Sequence, residues 1–475
     1  MNWPVVAIEL AVCGWIAVLL AGDALLTPRF AGLERGKRQR RLWSLAMLGI
    51  GVLAWVLGWQ SRWLGQAFGP MFLFDGFAFT FKWLFLITTA VVIAMMRQAN
   101  PLAITHLGEF YLLIFSALLG MLVLASINDL LLLFIALELL TFSLYVMAAY
   151  VKTDPRSIEA GMKYLIMGSV SSGFLVYGIS LLYGAAGGTG FEALRALLAS
   201  GPAGPNVLAG LFLVLAGLGF KVAAVPFHLW VPDVYEGAPT PVVALLSVGS
   251  KMAGMIVLLR LLYSVALPVA AVWTAVLAAL SAATLLYGNL AAIPQTNVKR
   301  LLGYSSIGHA GYLLMGLCSG LLSGAQAVGF YLLAYLVSTL AAFFVVMIVP
   351  GDSLEEYNGL SHRSPFLAAA MFVALLSLAG VPPLAGFVGK LLVLLSAVES
   401  HRLWLAAIGG LNVAISLYYY LCVVRRMYLL KPASSKPIAV DGISRAVLFL
   451  LLLGIVIIGT VQEPFLRLLS SAIAF

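Results

Sequence analysis

The sequence predicts an all-α polytopic membrane protein of about 14 transmembrane helices, and three observations lead there. The chain of 475 residues is 63% hydrophobic and 9% charged, roughly a third of the charge density of an ordinary soluble domain. Apolar runs recur at nearly constant spacing, each long enough to cross a ~30 Å hydrocarbon core as helix. Basic residues fall in the short polar breaks between those runs, where they act as topology signals. A soluble fold of this length would split into about two or three domains. Residues 1–475 read instead as one membrane domain. The formal net charge of +9 does not gather on one continuous face, so the expected surroundings are a lipid bilayer and not nucleic acid.

Taken in order, the spans start near Trp3, Leu42, Phe77, Leu107, Leu130, Met162, Val207, Val242, Val269, Leu301, Ala325, Phe366, Trp404 and Val447. The stretch Met1 to Leu26 is apolar, lacks a basic leader and contains Glu9 and Asp23, so it reads as the first membrane helix and not as a cleaved signal peptide. The following loop carries Arg29, Arg35, Lys37, Arg38, Arg40 and Arg41. Positive residues favour the cytoplasmic side, so the first helix runs from outside to inside. An even number of spans then returns both termini to the outer, periplasmic side of the cell inner membrane. Lys152 with Arg156, Lys299 with Arg300, and Arg425 with Arg426, Lys431 and Lys436 all fall on the inner side in this scheme.

Cys13, Cys318 and Cys422 lie far apart, with no CxxC pair and no histidine at metal-ligand spacing, which argues against a disulfide framework or an iron-sulfur cluster. The chain carries no glycine-rich phosphate loop, nucleophile elbow or HExxH. Redox chemistry is therefore expected in partners.

Two spans are interrupted by proline and glycine: GLGFKVAAVPFHLW around Lys221 to Trp230, and LAGVPPLAGFVGK from Leu378 to Lys390. A break frees backbone groups that lipid cannot satisfy, so it is tolerated only inside protein or beside a water-filled cavity. Each break has a Gly-Phe near a lysine, as expected if two groups of helices are related repeats with transport sites at their breaks. Ordinary proline kinks in packed helices are the alternative.

Charged residues near the bilayer centre cost roughly 2.5 to 3.5 kcal/mol each on insertion scales. Five stand there: Glu138, Lys163, Lys221 beside the first break, Lys251, and Lys390 after the second. Burial raises a carboxylate's pKa and lowers a lysine's, while pairing opposes both shifts, so each group can be poised near neutrality. A small change at one neighbour then becomes proton uptake or release. Lysine suits this task because arginine does not readily deprotonate. Static ion pairs between helices are the competing reading. His228 follows the first break, and His309 sits in LLGYSSIGHAGY among small and hydroxyl residues; either can relay a proton through water or simply bond a neighbouring helix. Lys82 and Arg260 lie nearer span ends and are expected to snorkel.

The run FKVAAVPFHLWVPDVYEGAPTPVVALLSVGSKMA, from Phe220 to Ala253, resembles the signature of the antiporter-like membrane subunits of complex I, a family related to Mrp-type sodium/proton antiporter subunits. IALEL around Glu138, KRLLGYSSIGHAGY from Lys299 to Tyr312, and LAGVPPLAGFVGK ending at Lys390 resemble its other motifs, extending the likeness from about Asn128 to Tyr420. DVYEGAPTP from Asp233 to Pro241, followed by Ser250 and Lys251, is similar to the N-type branch, as is lysine at 390 where an M-type member is expected to have glutamate. The chain ends soon after its last expected helix, which leaves no room for the lateral helix of an L-type member.

The resemblance implies a 14-helix antiporter-like fold with two inverted five-helix repeats, each with a broken helix. The repeats fall in 128–264 and 269–430, within a core at 128–420. It implies Glu138 as channel glutamate, Lys221 as central lysine of the first broken helix, Lys390 as lysine of the second, Lys163 and Lys251 as connecting positions, and His228 and His309 as relays. It also implies a place in a membrane arm beside a second antiporter-like subunit and small membrane subunits. No cofactor is expected in this chain; FMN, iron-sulfur clusters and quinone are implied in partner subunits.

The leading expectation is a proton-translocating subunit of NADH:quinone oxidoreductase. A proton moved against ~150 mV costs roughly 3.5 kcal/mol, within reach of ordinary conformational or electrostatic coupling. An Mrp-type sodium/proton antiporter subunit is an alternative, although sodium favours acidic and carbonyl ligands over lysines. A homologous subunit of a ferredoxin- or hydrogenase-linked complex is another. An assembly scaffold with static ion pairs and a quinone-binding enzyme complete the set.

Overall fold

Apolar runs without internal proline fold as uninterrupted helices, because in hydrocarbon each backbone N–H has to be satisfied within its own segment. A computed structural model describes residues 2–26, 35–98, 106–432 and 436–473. Arg29 and the side chain of Arg35, both part of the basic first loop, lie outside what is described.

The first part of the chain forms α1 (Ala7–Leu25), α2 (Arg35–Gln60), α3 (Gly76–Met95), α4 (Leu107–Ala125), α5 (Leu130–Ala148), α6 (Pro155–Ala186) and the short α7 (Phe191–Ala199). The first interrupted region follows as α8 (Pro205–Val222) and α9 (Val231–Gly237). Next come α10 (Thr240–Leu245) and α11 (Lys251–Arg260), with π-helical turns at Leu246–Ser250 and Leu261–Val265 on either side of α11. The remainder is α12 (Ala270–Ala292), α13 (Val298–Leu317), α14 (Leu322–Ile348), the single turn α15 (Leu360–Arg363), α16 (Pro365–Ala379), α17 (Ala385–Glu399), α18 (Leu403–Leu429), α19 (Gly442–Thr460) and α20 (Glu463–Ala472).

Several helices begin where an Asp or Asn side chain takes up a free N–H at the first turn. Asp75 accepts from Ala78 N at 2.8 Å, Asp129 from Leu131 N at 2.7 Å, and Asn297 from Arg300 N at 3.1 Å. The one departure from an all-α chain among the described residues is a small antiparallel hairpin, β1 (Gly65–Ala67) with β2 (Phe72–Phe74), after α2.

Twelve described helical segments are long and apolar enough to cross a membrane. Two more lie in the same bundle: α13, whose first turn carries Lys299 and Arg300, and the interrupted pair α16–α17. Counting both brings the number to the expected figure of about fourteen. The most apolar stretch of Thr240–Val265 is 100% buried, so this segment and α14 form the centre, while α1, α2, α6, α18 and α19 present apolar faces outward.

The chain crosses back and forth so that one end of the bundle gathers the basic loops. Arg38 pairs with Asp23 there at 2.6 Å, Arg97 with Asp441 at 3.0 Å, and Lys299 with Asp352 at 3.0 Å. The opposite end holds the hairpin, the start of α1, the start of α3 and α20.

Candidate functional site

Both sequence breaks are present. α8 stops at Val222 with Ala223 in the left-handed region (φ 65°), and α16 stops at Ala379 with Gly380 there (φ 88°). The freed backbone groups find side-chain partners, as burial requires. Val225 N donates to Thr284 Oγ1 at 3.0 Å, Trp230 Nε1 donates to the Phe220 carbonyl at 3.2 Å, and Lys390 Nζ donates to the Ala379 carbonyl at 2.9 Å. Gly380 is required by more than its φ: a Cβ there would stand 2.9 Å from Cδ of Lys390.

Lys221, at the end of α8, is buried, and its Nζ donates to Thr141 Oγ1 of α5 at 2.7 Å. Thr141 is three residues beyond Glu138, on the same side of α5. Glu138 itself is half-buried and accepts from Ser172 Oγ of α6 at 2.5 Å. The stem of Lys221 lies beside Gly254 of α11, where an added Cβ would stand 3.3 Å from Cβ of the lysine, and Gly254 is one turn from Lys251.

Lys251 opens α11 fully buried, with Nζ donating to both the carbonyl and the hydroxyl of Ser306 on α13. Ser306 Oγ is also bonded to Tyr335 Oη at 3.0 Å and Tyr235 Oη at 3.1 Å. His309, one turn along α13, has Nδ1 2.6 Å from Tyr331 Oη and Nε2 3.2 Å from Tyr420 Oη, which in turn contacts Ser305 Oγ. A neutral imidazole between two phenols donates to one and accepts from the other, the arrangement a relay needs. Tyr312, the next turn of α13, lies under Lys390 Nζ at 4.9 Å from its ring centre, and Nζ also reaches Ser416 Oγ at 3.4 Å. α12 comes close enough to hold α13 in place because Gly288 and Gly308 face each other; a Cβ on Gly288 would stand 2.4 Å from Gly308 N.

Lys221, Lys251, His309 and Lys390 are therefore all buried, on α8, α11, α13 and α17, and each bonds at least one hydroxyl, with Gly254 placing Lys221 beside the turn after Lys251 and Tyr312 placing Lys390 one turn from His309. Glu138 meets this line through α5. Glu138 makes no ion pair with a lysine among the described residues, which counts against the competing reading of a static pair there; it bonds Ser172, and Lys221 bonds Thr141. Two expectations need correction. Lys163 is not central: its side chain is 43% exposed and bonds Asp233 at 2.6 Å and Glu159 at 2.7 Å, within a network in which Arg300 holds Asp233 and Glu236. Glu159, Asp233, Glu236 and Arg300 of this network line a cleft of about 200 Å³ at the basic end. Lys82 and Arg260 do not snorkel; both are buried, Lys82 against Glu9 and Arg260 against Asp75.

His228 is buried at the first break with its ring against Tyr287, 4.2 Å between centres, and neither nitrogen has a hydrogen-bond partner among the described residues. It is not bonded into the line. The partners that sequence reasoning missed are Thr141, Tyr235, Ser306, Tyr331, Tyr335, Ser416 and Tyr420. The signal was a hydroxyl inside an apolar run, visible at Ser305 and Ser306 but indistinguishable from packing for the tyrosines.

The transmembrane family described as NADH:quinone oxidoreductase/Mrp antiporter matches residues 127–416. NADH-quinone oxidoreductase subunit N 2 of Solibacter usitatus is 41% identical, covering 96% of this chain and 96% of that relative. Subunit N of Chlorobium chlorochromatii is 43% identical, covering 84% and 81%. Among solved structures, a chain of respiratory complex I from Thermus thermophilus shares 35% identity and has a TM-score of 0.79, covering 95% of this chain and 98% of that one. A chain of the Mrp complex from Dietzia sp. is 19% identical with a TM-score of 0.85, covering 100% and 97%, a likeness of fold alone. With this buried line lying in the matched region, the chain belongs to the NADH:quinone oxidoreductase/Mrp antiporter membrane-subunit family, on the branch of NADH-quinone oxidoreductase subunit N.

Proposed function

We propose that the chain is the N-type membrane-arm subunit of an NADH:quinone oxidoreductase and carries protons across the cell inner membrane while electrons pass from NADH to quinone in other subunits. FMN, iron-sulfur clusters and quinone belong to those partners, and this chain contributes no redox group. Residues 1–475 act as one membrane domain, with the proton-translocating core at 128–420 and two repeat regions at 128–264 and 269–430. The basic end faces the cytoplasm and both termini face the periplasm, as the distribution of arginine and lysine favours.

The observation that carries the reading is the row of buried lysines, each bonded to a hydroxyl, with a histidine among them: Lys221 to Thr141, Lys251 to Ser306, His309 to Tyr331 and Tyr420, and Lys390 to Ser416. A buried lysine is costly as a fixed cation and useful as a proton carrier, since the neutral amine is accessible to it. Glu138 is the group through which the charge of a neighbouring subunit acts on Lys221. The cleft lined by Glu159, Asp233, Glu236 and Arg300 supplies water at the cytoplasmic mouth, separated from Lys251 by Tyr235 and Ser306. His228 serves as a relay beside the first break only through water.

The test is proton pumping and quinone reduction by the whole complex in sealed vesicles, at confirmed assembly. Lys221→Ala, Glu138→Gln and Lys390→Ala are each expected to lower pumping at least about tenfold, the effect of a barrier raised by about 1.4 kcal/mol. Normal pumping by all three assembled variants means that the line is structural.

A further inference from the structure

Two acid-base pairs, one buried and one partly so, lie outside this line, both toward the end of the bundle opposite the basic loops. Arg260, the last residue of α11, grips Asp75 with Nη1 and Nη2 at 2.9 Å each, and Nη2 also donates to the Ala125 carbonyl at 3.1 Å. Asp75 caps α3 as well, so both its oxygens are bound and only Nε of Arg260 lacks a partner. A buried ion pair that serves structure needs such saturation to offset desolvation.

The second pair is different. Lys82 is two turns along α3 from Asp75 and has no exposed surface, with Nζ 2.6 Å from Glu9 Oε1 of α1. The rings of Phe72 and Phe74 lie 5.0 and 4.5 Å from the ammonium. Beyond this one ion contact, neither the Glu9 carboxylate nor Lys82 Nζ has a hydrogen-bond partner among the described residues. A carboxylate and an ammonium left this incomplete in a low-dielectric site are poorly suited to static bridging and well placed to exchange a proton.

We infer that Glu9 and Lys82 form a second proton-exchange pair of this subunit, between the central line and the surface opposite the basic end. The inference rests on the proton pathway proposed above. The ammonium of Lys82 passes one proton to the carboxylate of Glu9, leaving a neutral amine and a carboxylic acid. Glu9 then releases that proton to water at the surface, and Lys82 takes another from the side of the central line. Placement fits this order: Lys82 is six residues, about 9 Å, along α3 from Gly76, and the Glu9 side chain keeps 9% exposure. The other charged groups acting on Lys82 are Asp75 and Arg260. Arg260 ties the pair to the line mechanically, because α11 begins with Lys251 and ends with Arg260 and has a π-helical turn at each end. Such turns are enriched at functional sites.

The deciding experiment uses the whole complex in proteoliposomes and reads NADH-driven pumping together with redox-induced infrared difference spectra in the carboxyl region. Lys82→Arg keeps the charge and the ion pair but cannot give up a proton; it is expected to assemble and to pump at least about tenfold more slowly, a barrier increase of about 1.4 kcal/mol. The double change Glu9→Leu with Lys82→Met leaves no unpaired buried charge, and it too is expected to assemble without pumping. Glu9→Gln is expected to remove one carboxyl band. Wild-type pumping by either Lys82→Arg or the double variant overturns the inference, as does an unchanged carboxyl spectrum in Glu9→Gln. If Lys221→Ala and Lys390→Ala are inactive while these variants pump normally, the pair alone fails. If Lys221→Ala and Lys390→Ala pump normally, the central pathway fails, and the Glu9 band still decides whether this pair exchanges protons.

Discussion

At the scale of single residues, the proposed pathway turns on a choice between two cations of similar length. Lys221 donates to one group among the described residues, Thr141 Oγ1, and is otherwise packed in apolar surroundings. Lys221→Arg keeps a positive charge and a long stem but replaces an amine that can lose its proton with a guanidinium that does not. The assembled variant is expected to lose pumping about a hundredfold, equivalent to about 2.7 kcal/mol in the barrier. Pumping at the wild-type rate would make Lys221 a fixed charge and not a carrier. Residue types in this line were legible because an apolar run exposes any charge within it. Their partners were not, since Tyr420 is 111 residues from His309 and Asp75 is 185 from Arg260. Distance from a span end gave Lys82 and Arg260 a depth and nothing about which acid would meet them. That missing fact turned two buried, paired cations into two expected snorkelling chains.

At the scale of elements, proline marked both breaks, because the loss of an N–H acts locally whatever the tertiary fold, and glycine supplies the positive φ at Gly380, whereas at the first break that conformation falls on Ala223. Lys163 went astray for the opposite reason: its role depends on how α6 meets α9, which brings Asp233 within 2.6 Å. A comparable joint ties α3 to α19 at the basic end. Asp441 caps α19 through Ile443 N at 3.2 Å and binds Arg97 Nε at 3.0 Å as well as Gln98. Partial burial pushes its carboxyl pKa up, but hydrogen bonds from the start of α19, Gln98 and Arg97 outweigh that and hold it below the usual aspartate value. A depressed folded pKa gives stability that is present above the ordinary carboxylate range and is lost as pH falls through the folded value. Asp441→Asn is therefore expected to destabilise the detergent-solubilised complex at pH 6 by at most about 1 kcal/mol, since the pair is partly exposed. The gap in thermal midpoint between variant and wild type should close below about pH 4. A gap that stays constant with pH would mean that Asp441 acts only as a cap.

For the whole molecule, direction across the membrane decides what each group does. The chain start lies at the end opposite the basic loops, where Gln60 of α2 binds the backbone of Val5 and Ile8. The chain's last described helix, α20, packs against the start of α3 at the same end. Lys152, Arg156, Lys299, Arg300, Arg425 and Arg426 all occupy the other end, and their excess there is the ground for the proposed cytoplasmic orientation of that end. Under the proposed orientation the Asp233 cleft is an uptake mouth and Glu9 a release group; reversal would exchange the two. Two exposed positions report it: Ser200, in the loop after α7 at one end, and Lys152, between α5 and α6 at the other. With Cys13 and Cys422 replaced by serine, a membrane-impermeant maleimide applied to intact cells is expected to label Ser200→Cys fully. Lys152→Cys should react only after permeabilisation. Labelling in the opposite sense would reverse the proposed direction of proton flow while leaving the buried line, and the chemistry its lysines can perform, unchanged.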